Sequence, residues 1–175
     1  LAFSVPLSVE IRYSKEKNQK LLFDAFTKLH NSSKEFLLIV IGAGFDNSPY
    51  MHLNDTGYVK MLGAKQNVGD YLACADYFVL SSLYEGLPLS LLEAMSMGCI
   101  PISTPAGGVV DVITDGKNGL LCPTFETEDF YNTVAKIFDN DFVINKQQII
   151  KGYEENYTIE VCVSKYYEVY KNLLK

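Results

Sequence analysis

The chain has no tryptophan and only two histidines, His30 and His52, in 175 residues. So few imidazoles argue against a histidine-based zinc site. Its four cysteines, Cys74, Cys99, Cys122 and Cys162, show no C-x-x-C spacing, so neither a zinc ribbon nor a dithiol redox motif is expected. Each lies among apolar neighbours, and we expect reduced core residues of a cytosolic protein. Positive charge is also scarce. Fifteen Lys and Arg against 21 Asp and Glu leave a net charge of −6, which argues against nucleic acid or an anionic membrane surface as a general partner. The opening "LAFSVPLSVEI" has no basic flank and is too short to span a bilayer. It also lacks an initiator Met, so the sequence is expected to be part of a longer protein or a processed chain.

What is present suits one globular domain. Hydrophobic residues make up 48% and charged residues 21%, and the length supports one real core rather than two. There is no internal repeat, low-complexity segment or linker. Strand-like and helix-like patterns alternate. "LSVEIRY" (7–13), "FLLIVIG" (36–42), "VKMLG" (59–63), "YFVLSS" (77–82), "CIPIST" (99–104) and "NGLLC" (118–122) read as strands. Helices are expected over 18–30, with Asn18 near the cap, and over 68–75, 88–97, 107–114 and 127–139. The tail over 144–174 is expected to form two helices, broken near Asn156–Tyr157, with Thr158 capping the second. Six strands joined by helices predict a parallel, doubly wound α/β sheet of Rossmann type. Ligands in such sheets sit outside the carboxyl ends of the strands. Arg12–Lys17, Gly42–Asp46, Gly63–Asn67, Ser81–Pro88 and Thr104–Gly108 all fall on that edge.

One stretch there stands out. In "SSLYEGLPLSLLEAMSMGCIPIST" (81–104), Glu93 is the only charge between Gly86 and Val110. Its neighbours predict a buried helix, where a lone carboxylate is costly unless paired. The helix is expected to begin at Leu87–Pro88, with Pro in the first helical position. The N–H groups of Leu87, Leu89 and Ser90 would then form an anion site suited to phosphate. Helical side chains lean toward the N-terminus, so Glu93 would point back to the same edge, able to accept from a vicinal diol. Glu85 would lie in the loop beside the anion site. Arg12 and Lys17, five residues apart at the end of the first strand, could neutralise a diphosphate. Taken singly, the basic pair reads as solvated surface, Glu85 as a loop acid and Glu93 as the partner of a core Arg or Tyr. Their convergence on one edge favours a site.

These residues resemble the retaining family-4 glycosyltransferases, which have the GT-B fold. "EGLPLSLLE" resembles that family's Glu-x7-Glu motif, and Arg12 and Lys17 match its Arg-x4-Lys pair. "LIVIGAG", "VKMLG", "GGVVDVITDGKNGLL" and the tail "YTIEVCVSKYYEVYKNLL" are similar to its other blocks. The resemblance covers nearly all of residues 1–175, as the C-terminal, donor-binding half of a GT-B enzyme. It implies that Arg12 and Lys17 stabilise the leaving diphosphate, that Glu93 holds the ribose and that Glu85 contacts the transferred sugar. The amides of Gly86, Leu87, Leu89 and Ser90 would bind phosphate or sugar, and Ala64 would lie near the base. It further implies a nucleotide-diphosphate hexose as donor, UDP-linked by preference, and a polysaccharide or glycolipid acceptor. No cofactor or metal is implied; the basic pair and helix N-terminus supply the charge stabilisation. The N-terminal acceptor-binding half would be the partner. Cytoplasmic location, with peripheral attachment to the inner membrane face through that half, is expected. Two departures are Pro88, where many members have Gly, and Glu10, an acid near the basic pair.

Other signals carry less. "GAGFDN" begins like a dinucleotide fingerprint, but Asn47 replaces the third glycine. Asp139–Asn140–Asp141 is a D-x-D string at a helix end rather than a sheet edge. Five of the twelve tyrosines follow residue 150 and read as packing, with some exposed if they normally meet the other half. The competing function is a non-catalytic nucleotide-sugar-binding module with a regulatory or scaffold role. A phosphorylase or epimerase on the same fold is a third reading, but neither a cofactor lysine nor a histidine cluster is evident.

Overall fold

A computed structural model describes residues 5–10, 12–139 and 143–174, without the side chains of Val5, Val9 and Glu10. The acidic departure at Glu10 and two members of the Asp139–Asn140–Asp141 string therefore lie outside the described side chains.

The strands are β1 (Val5–Glu10), β2 (Phe36–Ile41), β3 (Val59–Met61), β4 (Tyr77–Leu80), β5 (Ile100–Ser103) and β6 (Leu120–Leu121). All pair in parallel, in the order β3-β2-β1-β4-β5-β6. The order reverses direction at the β1–β4 junction, the switch point at which a Rossmann-like sheet opens a crevice for ligand. Strands expected to run to residues 13, 42, 63, 82 and 104 end one to three residues sooner. Each ends where the chain turns to build the crevice edge.

The helices are α1 (Gln19–Asn31), α2 (Val68–Ala73), α3 (Leu89–Ser96), α4 (Thr127–Ala135), α5 (Lys146–Asn156) and α6 (Ile159–Leu173). Residues 107–111 and 136–138 form 3₁₀ turns rather than α-helix. One face of the sheet carries α1 and α4. Leu22, Phe26 and Leu29 on one side of α1 are buried against Leu7, Leu38, Val79, Phe130 and Val134, each fully buried side chain contributing about 1.5–3 kcal/mol. The other face carries α2, α3 and α5, where Leu91, Ala94 and Met95 pack with Phe78, Leu80, Cys99 and Ile149. Strands covered on both faces need no polar alternation, which is why β2 is wholly apolar.

Asn18 occupies the cap position of α1, but in the left-handed conformation (φ 48°) and without a side-chain capping bond. Its backbone N–H bonds to Lys15 O, closing the preceding 3₁₀ turn over 15–17. The tail breaks where the sequence predicts, and the Thr158 side chain accepts from Val161 N at the start of α6. No residue of α6 is buried; Ile159, Val163, Tyr166, Tyr167 and Tyr170 stand exposed along it. None of the helices described is long and apolar enough to cross a membrane.

Candidate functional site

The crevice is built from four loops stitched together by the backbone. Tyr13 N donates to Ala43 O at 3.0 Å, joining the loop after β1 to the loop after β2. Gly44 sits there at φ +94°, where an added Cβ would lie 3.2 Å from Tyr13 Cβ. Gly44 of "GAG" thus serves a close approach of two loops. Leu83 N donates to Glu16 O at 2.7 Å, and Ser81 Oγ to Lys17 O at 2.8 Å, tying the Arg12–Lys17 segment to the loop after β4. The fourth loop follows β5: Gly108 N donates to Gly86 O at 2.9 Å.

This frame brings Lys17 and Glu85 into direct contact, with Nζ 2.6 Å from Oε1 and side-chain exposures of 25% and 11%. The expectation had Glu85 beside an anion site and its counter-charge apart; instead, two of the four charged candidates neutralise each other. Two half-buried opposite charges attract each other more strongly here than the same pair would in bulk water. Ser82 Oγ donates to the same Oε1 at 2.6 Å. Arg12 is exposed and makes no ion pair among the described residues, while its carbonyl accepts from the buried Gln19 at 2.9 Å.

Pro88 is the residue that caps α3, not its first helical residue. Its ψ of 115° is extended, while its carbonyl accepts from Leu91 N at 3.1 Å. The first helical N–H groups are those of Leu89 and Ser90, which with Leu87 N–H have no hydrogen-bond partner among the described residues. They form the positive end of an eight-residue helix.

Glu93 is exposed and makes no ion pair among the described residues, so the expectation of a buried setting is corrected, and the alternative of a carboxylate paired in the core finds no partner. Residues 91, 92, 94 and 95 are the buried positions of α3. Its outward face carries Leu89, 70% exposed, beside Ser90, Glu93 and Ser96. Glu93 shares a cleft of about 560 Å³ with Leu87, Leu89, Tyr153, Tyr157 and Lys165. Glu85 and Lys17 do not line that cleft. Ala64 is exposed and lines a separate cavity of about 240 Å³ with Gly42, Gly44, Phe45 and Gly63.

The sequence reading placed Ser81, Ser82, Thr104, Gly107 and Gly108 on this edge but gave them no part in bracing it. A Cβ at Gly107 would fall 1.8 Å from Glu85 O, and one at Gly108 2.4 Å from Gly86 O. A glycine pair in the loop after a strand was the available signal of close backbone approach. The cysteines also differ from expectation. Cys99 and Cys122 are buried, but Cys74 and Cys162 are exposed, and all four are free. Burial pushes the Cys99 thiol up to about 11.

Solved structures share this architecture. The lipopolysaccharide outer core galactosyltransferase WaaB superposes with a TM-score of 0.81 at 24% identity, over 97% of this chain and 49% of that one. Anabaena HepE, solved with UDP and glucose, superposes with a TM-score of 0.80 at 18% identity, over 96% and 48%. The fold is therefore the Rossmann-like α/β unit that makes up one half of GT-B glycosyltransferases. The chain belongs to the glycosyl transferases group 1, whose family model matches residues 9–140. An N,N'-diacetylbacillosaminyl-diphospho-undecaprenol alpha-1,3-N-acetylgalactosaminyltransferase of Campylobacter jejuni is 27% identical over 91% of this chain and 42% of its own. A UDP-Gal:alpha-D-GlcNAc-diphosphoundecaprenol alpha-1,3-galactosyltransferase of Escherichia coli is 27% identical over 71% and 35%. The chain thus spans under half the length of these relatives.

Proposed function

We propose that this chain is the C-terminal, donor-binding half of a retaining, metal-independent glycosyltransferase. It would move a hexose from a UDP-sugar to a polysaccharide or glycolipid acceptor. The observation that carries the reading is the contact of Lys17 with Glu85 beside the N-terminus of α3, at the switch point of the sheet. A cation, a carboxylate and unpaired amides converging there suit a diphosphate joined to a polyhydroxylated sugar. The relatives named above support a UDP-linked donor and an acceptor carried on a lipid diphosphate.

In this reading the resting Lys17–Glu85 pair keeps both charges compensated until donor arrives. Lys17 then turns to the diphosphate, joined by Arg12 and the amides of Leu87, Leu89 and Ser90, and Glu85 meets the sugar hydroxyls. The bond from the anomeric carbon to the diphosphate oxygen breaks. The acceptor hydroxyl oxygen bonds to that carbon on the same face, and its proton passes to a leaving phosphate oxygen. Positive charge fixed beside the diphosphate stabilises the leaving group as it develops. Glu93 holds the ribose from the exposed face of α3, and Ala64 borders the base. The missing N-terminal half supplies the acceptor and covers the exposed side chains of α6. The protein works in the cytoplasm, attached through that half to the inner membrane face.

The test is donor turnover by the intact protein with UDP- and GDP-hexoses, with and without EDTA, the product anomer read by proton NMR. Release of UDP insensitive to EDTA, with the configuration kept, is expected. Inverted product, or activity abolished by EDTA, contradicts the mechanism. Nucleotide binding without turnover by the intact protein would instead fit a regulatory or scaffold module.

A further inference from the structure

We propose that Ser82 is the positioning residue of Glu85. It fixes one carboxylate oxygen so that the other faces the sugar; the inference rests on the function proposed above.

Ser82 is the second residue after β4 and is 1% exposed. Its hydroxyl donates to Glu85 Oε1 at 2.6 Å, on the same oxygen that Lys17 Nζ reaches at 2.6 Å. Oε2 has no donor among the described residues. The carboxylate is therefore held asymmetrically, one oxygen doubly bonded and the other open. Ser82 is itself held from below: Thr104 Oγ1, buried at the end of β5, donates to Ser82 O at 2.5 Å. The neighbouring Ser81 holds the other partner, since its hydroxyl donates to Lys17 O at 2.8 Å. Adjacent hydroxyls of one strand end thus anchor the acid and the base of the pair separately.

The distinction matters when donor binds. If Lys17 leaves Glu85 for the diphosphate, its hold on Oε1 is lost, and Ser82 is the donor that remains. Without it the Glu85 side chain would be free to rotate when the sugar needs a fixed acceptor. A small misplacement of a catalytic group costs up to about 100-fold in rate. A lysine bond made only at rest and a serine bond kept throughout therefore do different work on the same oxygen.

The experiment uses the intact protein carrying Ser82→Ala, Ser82→Thr, Glu85→Ala and the double variant Ser82→Ala/Glu85→Ala. For Ser82→Ala we expect kcat for UDP-hexose turnover to fall about 10- to 100-fold, with KM and UDP affinity within about threefold of the unsubstituted protein. Ser82→Thr, which keeps the hydroxyl, recovers most of the rate. In parallel, urea unfolding is measured for the unsubstituted protein, Ser82→Ala, Glu85→Ala and the double variant. Ser82→Ala should shift the midpoint in the Glu85 protein and shift it much less where Glu85 is already Ala. Equal shifts in both backgrounds, or equal losses in kcat and UDP binding, would overturn the proposal in favour of a core-packing role. If the unsubstituted protein turns over no donor, the functional reading fails by itself, and the unfolding cycle still decides whether Ser82 holds Glu85.

Discussion

The substitution Gly107→Ala tests the frame around Glu85 more sharply than removal of any polar group. Gly107 has φ +53°, and an added Cβ would lie 1.8 Å from Glu85 O and 2.9 Å from Glu85 C. Real Cβ atoms essentially never approach closer than 3.0 Å, so one loop must move by more than an ångström. Gly116 is the matched control: its φ is +73°, but nothing lies within 4 Å of an added Cβ. Left-handed backbone costs a non-glycine residue about 1–2 kcal/mol, so Gly116→Ala should lose about that much. Gly107→Ala adds the overlap, about 1–3 kcal/mol for an overpacked site, for a total of about 2–5 kcal/mol. With a urea slope of about 2 kcal/mol per M, Gly116→Ala should lower the midpoint by about 0.5–1 M and Gly107→Ala by about 1–2.5 M. Because the displaced atoms belong to Glu85, donor turnover should fall with Gly107→Ala and not with Gly116→Ala. Equal midpoint shifts for the two variants would show that the loop after β5 does not brace Glu85, and the geometric account of the site would fail.

Lys17→Ala should lower stability by about 1–2 kcal/mol, because it leaves the half-buried Glu85 carboxylate with Ser82 as its one remaining donor among the described residues, and should weaken UDP binding; unfolding and calorimetry read the two effects separately. Thr158→Ala should loosen α6, since the lost cap costs about 1 kcal/mol and no residue of that helix is buried to compensate; faster amide exchange confined to 159–173 is the check. Thiol titration of the native protein should show two reactive cysteines, Cys74 and Cys162, and two protected until unfolding, Cys99 and Cys122. The raised Cys99 thiol makes stability pH-dependent in a stated direction. Its ordinary value is 9.0 and its folded value about 11, so above pH 9 the unfolded chain binds fewer protons than the native one. The contribution is whole below pH 9 and is lost as pH rises toward 11. Urea midpoints should fall across that window in the native chain and less steeply in Cys99→Ala; parallel curves would contradict the assignment.

Periodicity and apolar runs were enough to read the parallel sheet, because a strand buried on both faces leaves a continuous hydrophobic signature, as β2 does. The cap at Thr158 and the break before α6 were legible for the same local reason. The burial around Glu93 was misread because an exposed Leu89 shares its side of α3, so the run of apolar residues looks like a core on every side. The direct Lys17–Glu85 contact was not legible. It joins residues 68 apart in sequence and depends on bonds such as Leu83 N to Glu16 O that leave no residue-type signal. Ser82 and Thr104 read as strand-end polar residues, and only the third dimension brings them beneath the carboxylate. Pro88 shows the limit of local rules: proline suits the first helical position and the residue before it alike, and its extended ψ decided between them.

The measurement that bears most directly on the central claim is a calorimetric titration of this chain with UDP and with GDP, repeated with Glu93→Ala. Glu93 is exposed and makes no ion pair among the described residues, so the variant should keep its circular dichroism spectrum and its stability within about 0.5 kcal/mol. The account predicts that UDP binds more tightly than GDP and that Glu93→Ala weakens UDP at least about tenfold, the loss of about 1.4 kcal/mol. UDP binding unchanged in a folded Glu93→Ala protein would contradict it, and would return Glu93 to an ordinary surface carboxylate.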